Sequence, residues 1–142
     1  RPFEIVVKNA RGGIDYLDDQ TGERKTRGMS AAIAVMSSYN YVGSTWAGGS
    51  KALCTELLRD EWGFEGRVVS DWSLYDYTNK NQAFYAGTDV NLTTTLTTGQ
   101  MQDAESATAV KAMRRCMHHY LYSIANSNAM NGKPPTVRVT YK

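Results

Sequence analysis

The sequence predicts an α/β fold built from parallel βαβ units, and three observations carry that prediction. Short apolar runs at 31–38, 67–70 and 89–92 have the length and density of strands. Longer stretches at 51–62, 79–86 and 104–125 carry apolar residues at helical spacing and separate those runs. Gly63, Gly66 and Gly87 punctuate the joints. Strands that alternate with helices pair in parallel, because the intervening helix returns the chain to the same end of the sheet.

Each element has its own local reason. Residues 3–10 read as the end of a helix, with Phe3, Val6 and Val7 on one side and Gly12-Gly13 as its stop. Residues 14–28 are polar and charged. They read as an exposed excursion, with Thr21-Gly22 at a turn and Ile14, Tyr16 and Leu17 hinting at a hairpin arm. Arg24, Lys25 and Arg27 in this stretch read as a solvated turn. Run 31–38 is short and apolar enough for a strand covered on both faces, and a Gly-rich loop at 43–49 follows it. Ser50 then offers an N-cap to a helix at 51–62, whose Leu53, Leu57, Leu58 and Trp62 share a face and which Gly63 closes. After the second strand comes an aromatic loop at 73–78, then a short helix at 79–86 ended by Gly87, then the third strand at 89–92 and a Thr-rich loop. Asp103 is the expected cap of the long last helix, with Val110, Met113, Met117, Tyr120, Leu121 and Ile124 as its inward stripe. Asn131-Gly132 and Pro134-Pro135 close the unit, and Val137, Val139 and Tyr141 alternate in the tail as a strand or a linker. Three strands make either a small open sheet or one arc of an eight-stranded barrel, which takes about 250 residues when complete.

Composition narrows the function classes. A net charge of +2 spread over 142 residues argues against nucleic-acid and membrane partners, and no apolar run reaches a membrane span. The chain begins Arg1-Pro2-Phe3 without Met or a signal pattern, which reads as a segment of something longer and leaves localisation unknown. Cys54 and Cys116 lack metal-ligand spacing and read as buried thiols. His118 and His119 are adjacent, so on a helix they point about 100° apart and read as polar surface instead of a metal pair. No phosphate loop, dinucleotide fingerprint or metal pattern is present, so no cofactor is expected.

One position stands apart. Val68 and Val69 run directly into Ser70, Asp71 and Trp72. An acid where a buried parallel strand ends occupies the face at which α/β folds keep their chemistry. The alternative is an Asp that caps the following turn.

The ordered set of motifs resembles glycoside hydrolase family 3, the β-glucosidases, β-xylosidases and related exo-acting enzymes. The set comprises Met36-Ser37-Ser38-Tyr39-Asn40, the Gly-rich loop, LCTELLRDEWGF at 53–64, and Gly66-Arg67-Val68-Val69-Ser70-Asp71-Trp72. Ala86-Gly87-Thr88-Asp89, the long closing helix and Arg1-Pro2-Phe3-Glu4 extend it over most of the chain outside the excursion. The resemblance implies the C-terminal portion, about strands 6–8, of a (β/α)8 barrel over 1–132, with 133–142 a linker or the start of a following domain. It implies a retaining β-glycosidase, most simply a β-glucosidase acting on a β-linked glucoside or oligosaccharide. Asp71 falls on the family's nucleophile position, Trp72 on the aromatic lining the sugar pocket, and Met36 and Tyr39 on its border. Trp72 after the nucleophile and the lack of a His dyad lean toward glucose or xylose. The acid/base and the early-barrel groups that grip the sugar fall outside the chain, in the remaining barrel and a sandwich domain, so the chain alone is expected to be inactive. Glu56, Glu61 and Glu65 read as surface residues of the helix region, and Asp89 as a structural hydrogen-bonding acid. The opposing reading is a non-catalytic α/β module for carbohydrate binding or assembly.

Overall fold

The computed structural model describes residues 2–72, 77–93 and 101–127. Expectations for Leu74, Tyr75 and Asp76, for 94–100 of the Thr-rich loop, and for the 128–142 tail lie outside them. The chain runs from α1 (Pro2–Glu4), through a wide π-type turn (Ile5–Asn9), into a hairpin of β1 (Arg11–Leu17) and β2 (Arg24–Ser30). Strand β3 (Ala34–Met36) and a small ribbon of β4 (Tyr41–Val42) and β5 (Thr45–Trp46) follow. A tight turn (Ala47–Gly49) then leads into a wide π-type helix (Ala52–Glu61). The remainder is β6 (Arg67–Trp72), α2 (Lys80–Ala86), β7 (Val90–Leu92) and α3 (Ala107–Ala125).

The parallel sheet has the order β3-β6-β7. Register pairs Val35 with Val68 and Met36 with Val69. Side chains alternate across a strand, so the sheet has two faces with different fates. On one, Val68 joins Val7, Cys54 and Phe64 in the core, with Val35, Leu53, Leu58 and Trp62 packed against it. The other face is open, and Met36 is 64% exposed there. The expectation that 31–38 is covered on both faces is therefore corrected: among the described residues nothing covers the second face of β3. Gly66 is required at the start of β6, because a Cβ there would lie 2.2 Å from the Ile33 carbonyl oxygen.

The helix ends follow their chemistry. Asn79 accepts the Gln82 N–H at 3.0 Å and caps α2, and Gly87 ends it at φ +113°, a conformation that disfavours a side chain. Ser50 Oγ accepts the Leu53 N–H at 3.4 Å at the entry of the wide helix. Two expectations fail at helix ends. Gly12 and Gly13 belong to β1 and stop no helix. Ser106, not Asp103, caps α3, accepting the Ala109 N–H at 3.2 Å, while Asp103 takes φ +50° before it.

The larger correction concerns α3. Its buried residues are Ala109, Ala112, Cys116 and Ser123, whereas Met113, Met117, Tyr120 and Leu121 are exposed. Both sets have helical spacing. Close approach selects the small one: Ser123 Oγ reaches the Ile33 carbonyl at 2.8 Å and takes the Arg67 N–H at 3.0 Å, distances that a Met or Tyr stripe would prevent.

The excursion is an antiparallel hairpin with Arg11 opposite Ser30 and Leu17 opposite Arg24. Asp18 accepts the Gln20 and Thr21 N–H groups in its turn. Arg24 and Lys25 lie on β2 instead of in that turn, paired with Asp15 and Asp18. No helix among the described residues is long and apolar enough to cross a membrane.

Candidate active site

The C-terminal ends of β3 and β6 bring all four expected site residues to one rim. Ser37 donates its N–H to the Val69 carbonyl at 2.8 Å, and Asp71 donates its own to the Ser37 carbonyl at 3.1 Å. The ladder thus extends beyond Met36 and fixes Asp71 beside the chain that leads to Tyr39. Tyr39 donates its phenol to the Trp72 carbonyl, and Tyr77 donates to the Tyr39 carbonyl at 3.3 Å. Tyr77 also stacks on Tyr41 at 5.2 Å in a tilted pair. Trp72 is 41% exposed.

Asp71 is half-buried at this rim. One carboxylate oxygen, Oδ1, accepts the Trp72 N–H at 2.7 Å. Among the described residues Oδ2 has no partner. A carboxylate with one oxygen tethered and the other open is oriented without being consumed by internal bonds.

The strand beneath is irregular where it matters. Val69 pairs with Val90 and Trp72 with Leu92, three steps on β6 against two on β7. The extra residue falls at Ser70-Asp71, and a bulge of this kind re-aims a side chain. Sequence reasoning passed over Ser70, which is fully buried.

Behind the sheet lies a second acid, and its environment is the opposite. Asp89 Oδ2 accepts from Arg59 Nη2 at 2.6 Å and from the Val68 N–H at 2.7 Å, and Oδ1 lies 2.9 Å from His119 Nδ1. The structural role expected of Asp89 matches this geometry. The surface reading of His119 does not: its side chain is 12% exposed and bound to Asp89. His118 is exposed. Burial pulls the Arg59 guanidinium below its ordinary pKa, and the Asp89 charge opposes that pull. Cys54 and Cys116 are free and buried, and burial pushes the Cys116 thiol up to about 11.

Trp46 is buried, and its Nε1 donates to the Ser38 carbonyl at 2.9 Å, which pins the Gly-rich loop. Glu56, Glu61 and Glu65 are exposed, Glu65 accepting the Tyr122 phenol at 2.9 Å. Among the described residues no group of three or more His, Cys, Asp or Glu side chains is gathered to hold a metal.

Comparison with known proteins shows the family of the chain. Residues 27–120 match the model described as "Glycosyl hydrolase family 3 N terminal domain". The chain is 37% identical over 71 residues, half of its length, to a probable beta-glucosidase J of Neosartorya fischeri, covering 6% of that protein. It is 38% identical over 88 residues, 62% of its length, to a probable beta-glucosidase I of Aspergillus flavus, covering 10% of that protein. Its fold superposes on beta-glucosidase 3B from Thermotoga neapolitana, solved in complex with glucose, with a TM-score of 0.59 and 27% identity over 91% of this chain and 16% of that one. The chain therefore spans about a tenth or less of the curated relatives it matches. With two thirds of its residues inside that family model, the chain belongs to glycosyl hydrolase family 3.

Proposed function

We propose that this chain supplies the nucleophile side of a retaining β-glycosidase site, most simply a β-glucosidase, and that Asp71 is the nucleophile. The observation that carries the reading is the Asp71 carboxylate itself, tethered through Oδ1 at a strand end with Oδ2 open. In this reading Oδ2 attacks the anomeric carbon. The bond to the leaving oxygen breaks as that oxygen takes a proton from an acid group, and a glycosyl ester forms on Asp71. Water, deprotonated by the same group, then releases the sugar. The two carboxyl groups of such a pair stand about 5–5.5 Å apart. The second is assigned to the remainder of a longer polypeptide, a remaining barrel and a sandwich domain.

Trp72 presents a flat face to the sugar's C–H groups, Tyr39 holds the Trp72 carbonyl and so the attitude of that indole, and Met36 packs on the border of the same subsite. A glucose-sized sugar is the occupant favoured by the relatives. The three parallel strands are assigned to about strands 6–8 of a (β/α)8 barrel, with residues 1–132 as the barrel part and 133–142 leading onward. The order of motifs and the open face of the sheet, which a closed barrel would turn inward, support that placement.

The test is Asp71→Gly in the full-length chain, assayed on an aryl β-glucoside. Turnover falls by on the order of 10³-fold or more, and a 2-deoxy-2-fluoro glycosyl inactivator no longer adds its mass. Near-normal turnover overturns the assignment. The 142-residue chain assayed alone is expected to give no hydrolysis. A single open rim carboxylate among the described residues also fits a non-catalytic carbohydrate-binding or assembly module, and glucoside binding with no hydrolysis by the full-length chain would favour that second reading.

A further inference from the structure

We infer that Ser70 is the positioning residue for Asp71, its hydroxyl filling the bulge that aims the carboxylate; this rests on the reading of Asp71 as nucleophile. Ser70 is fully buried, on the core side of β6, and has no access to substrate. Its Oγ accepts the Leu92 N–H at 3.0 Å and donates to the Asp71 carbonyl at 2.7 Å. One hydroxyl thus spans the irregular step between β6 and β7, where two residues of one strand, Ser70 and Asp71, stand against one of the other, Asn91.

The consequence is geometric. The Asp71 peptide is held from both sides, its N–H by the Ser37 carbonyl and its carbonyl by Ser70. With both backbone groups fixed, the Cα–Cβ direction of Asp71 is fixed too, and Oδ1 needs only the Trp72 N–H to set the remaining rotation. Without the Ser70 hydroxyl, the Leu92 N–H loses this buried acceptor. The bulge then relaxes toward a regular ladder, which turns a side chain toward the other face. A displacement of about 1 Å at a reacting atom can cost on the order of 10²-fold in rate.

The experiment pairs two buried hydroxyls that do similar backbone work at opposite ends of one strand. Ser123 Oγ accepts the Arg67 N–H at the start of β6, far from Asp71 in the ladder. Ser70→Ala and Ser123→Ala are made in the full-length chain, and active sites are counted by the stoichiometry of a 2-deoxy-2-fluoro glycosyl inactivator. Expected is a drop of at least tenfold in kcat per counted site for Ser70→Ala, with KM within threefold. Ser123→Ala lowers the thermal midpoint but keeps kcat per site within twofold. Ser70→Thr, which retains the hydroxyl, recovers most of the lost kcat, and Ser70→Cys does not. Should Ser70→Ala fail to fold, the Thr and Cys variants decide between them. A kcat per site for Ser70→Ala within twofold of the parent overturns the proposal, as do equal losses in Ser70→Ala and Ser123→Ala, or in Ser70→Thr and Ser70→Cys. Asp71→Gly run alongside separates the failures: if that variant turns over normally, the nucleophile reading has failed; if it is dead while Ser70→Ala is normal, only the positioning role has.

Discussion

Asp71 and Asp89 lie on or beside neighbouring strands of one sheet, and their environments are opposite. Asp89 is enclosed, and its two oxygens bind a guanidinium, an imidazole and a strand N–H. Asp71 sits at the rim with a single bond to its neighbour's N–H. In sequence Asp71 closes a short apolar run, whereas Asp89 opens one. The difference teaches that an acid's role is set by what surrounds its second oxygen. Asp89 has both oxygens engaged by groups from the wide helix, β6 and α3, so its charge ties three elements together. Asp71 keeps one oxygen without a partner among the described residues.

That contrast can be broken experimentally. The largest effects lie in opposite observables. Asp71→Asn removes turnover while leaving folding stability within about 0.5 kcal/mol, as for substitutions away from buried networks. Asp89→Ala does the reverse, costing about 3–5 kcal/mol because it strands the buried Arg59 guanidinium without its counter-charge. Denaturant melts beside rate measurements on the full-length chain check both. An Asp89→Ala protein of unchanged midpoint would end the claim that Asp89 ties the elements together.

A smaller effect sharpens the same lesson on the hairpin. Asp18 is held below the usual carboxylate range first by its bond from Lys25, then by the Thr21 and Gln20 N–H groups. A depressed carboxylate contributes stability above its ordinary value of 3.8 and loses it as pH falls through the lowered one. Solvent screening makes that contribution small, so Asp18→Asn changes the neutral-pH melting point only slightly. In the parent, chemical shifts of the 18–25 turn titrate below the ordinary carboxylate range, and in the variant that titration is absent.

The smallest effect concerns the thiols. With Cys116 raised to about 11, alkylation by iodoacetamide at pH 8 is negligible in the native protein and fast in denaturant. The sign is that of a group kept neutral: its contribution to stability is full below its unfolded pKa and is lost as pH rises toward 11. Rapid native labelling of Cys116 would show that α3 does not pack as described.

The sequence by itself determined the succession of parallel strands and helices, the Asn79 and Gly87 ends of α2, the buried thiols, and the presence of an acid at the end of β6. These depend on period, capping chemistry and punctuation, which act over a few residues. Tertiary structure alone decided which stripe of α3 turns inward, because two stripes share the helical period and only approach distance selects between Ala112 and Met113. It alone joined Asp89 to Arg59 and His119, each 30 residues away in the chain. And it alone gave Ser70 its place, since a bulge exists only where two strands disagree in length, and neither strand carries that disagreement in its own residues.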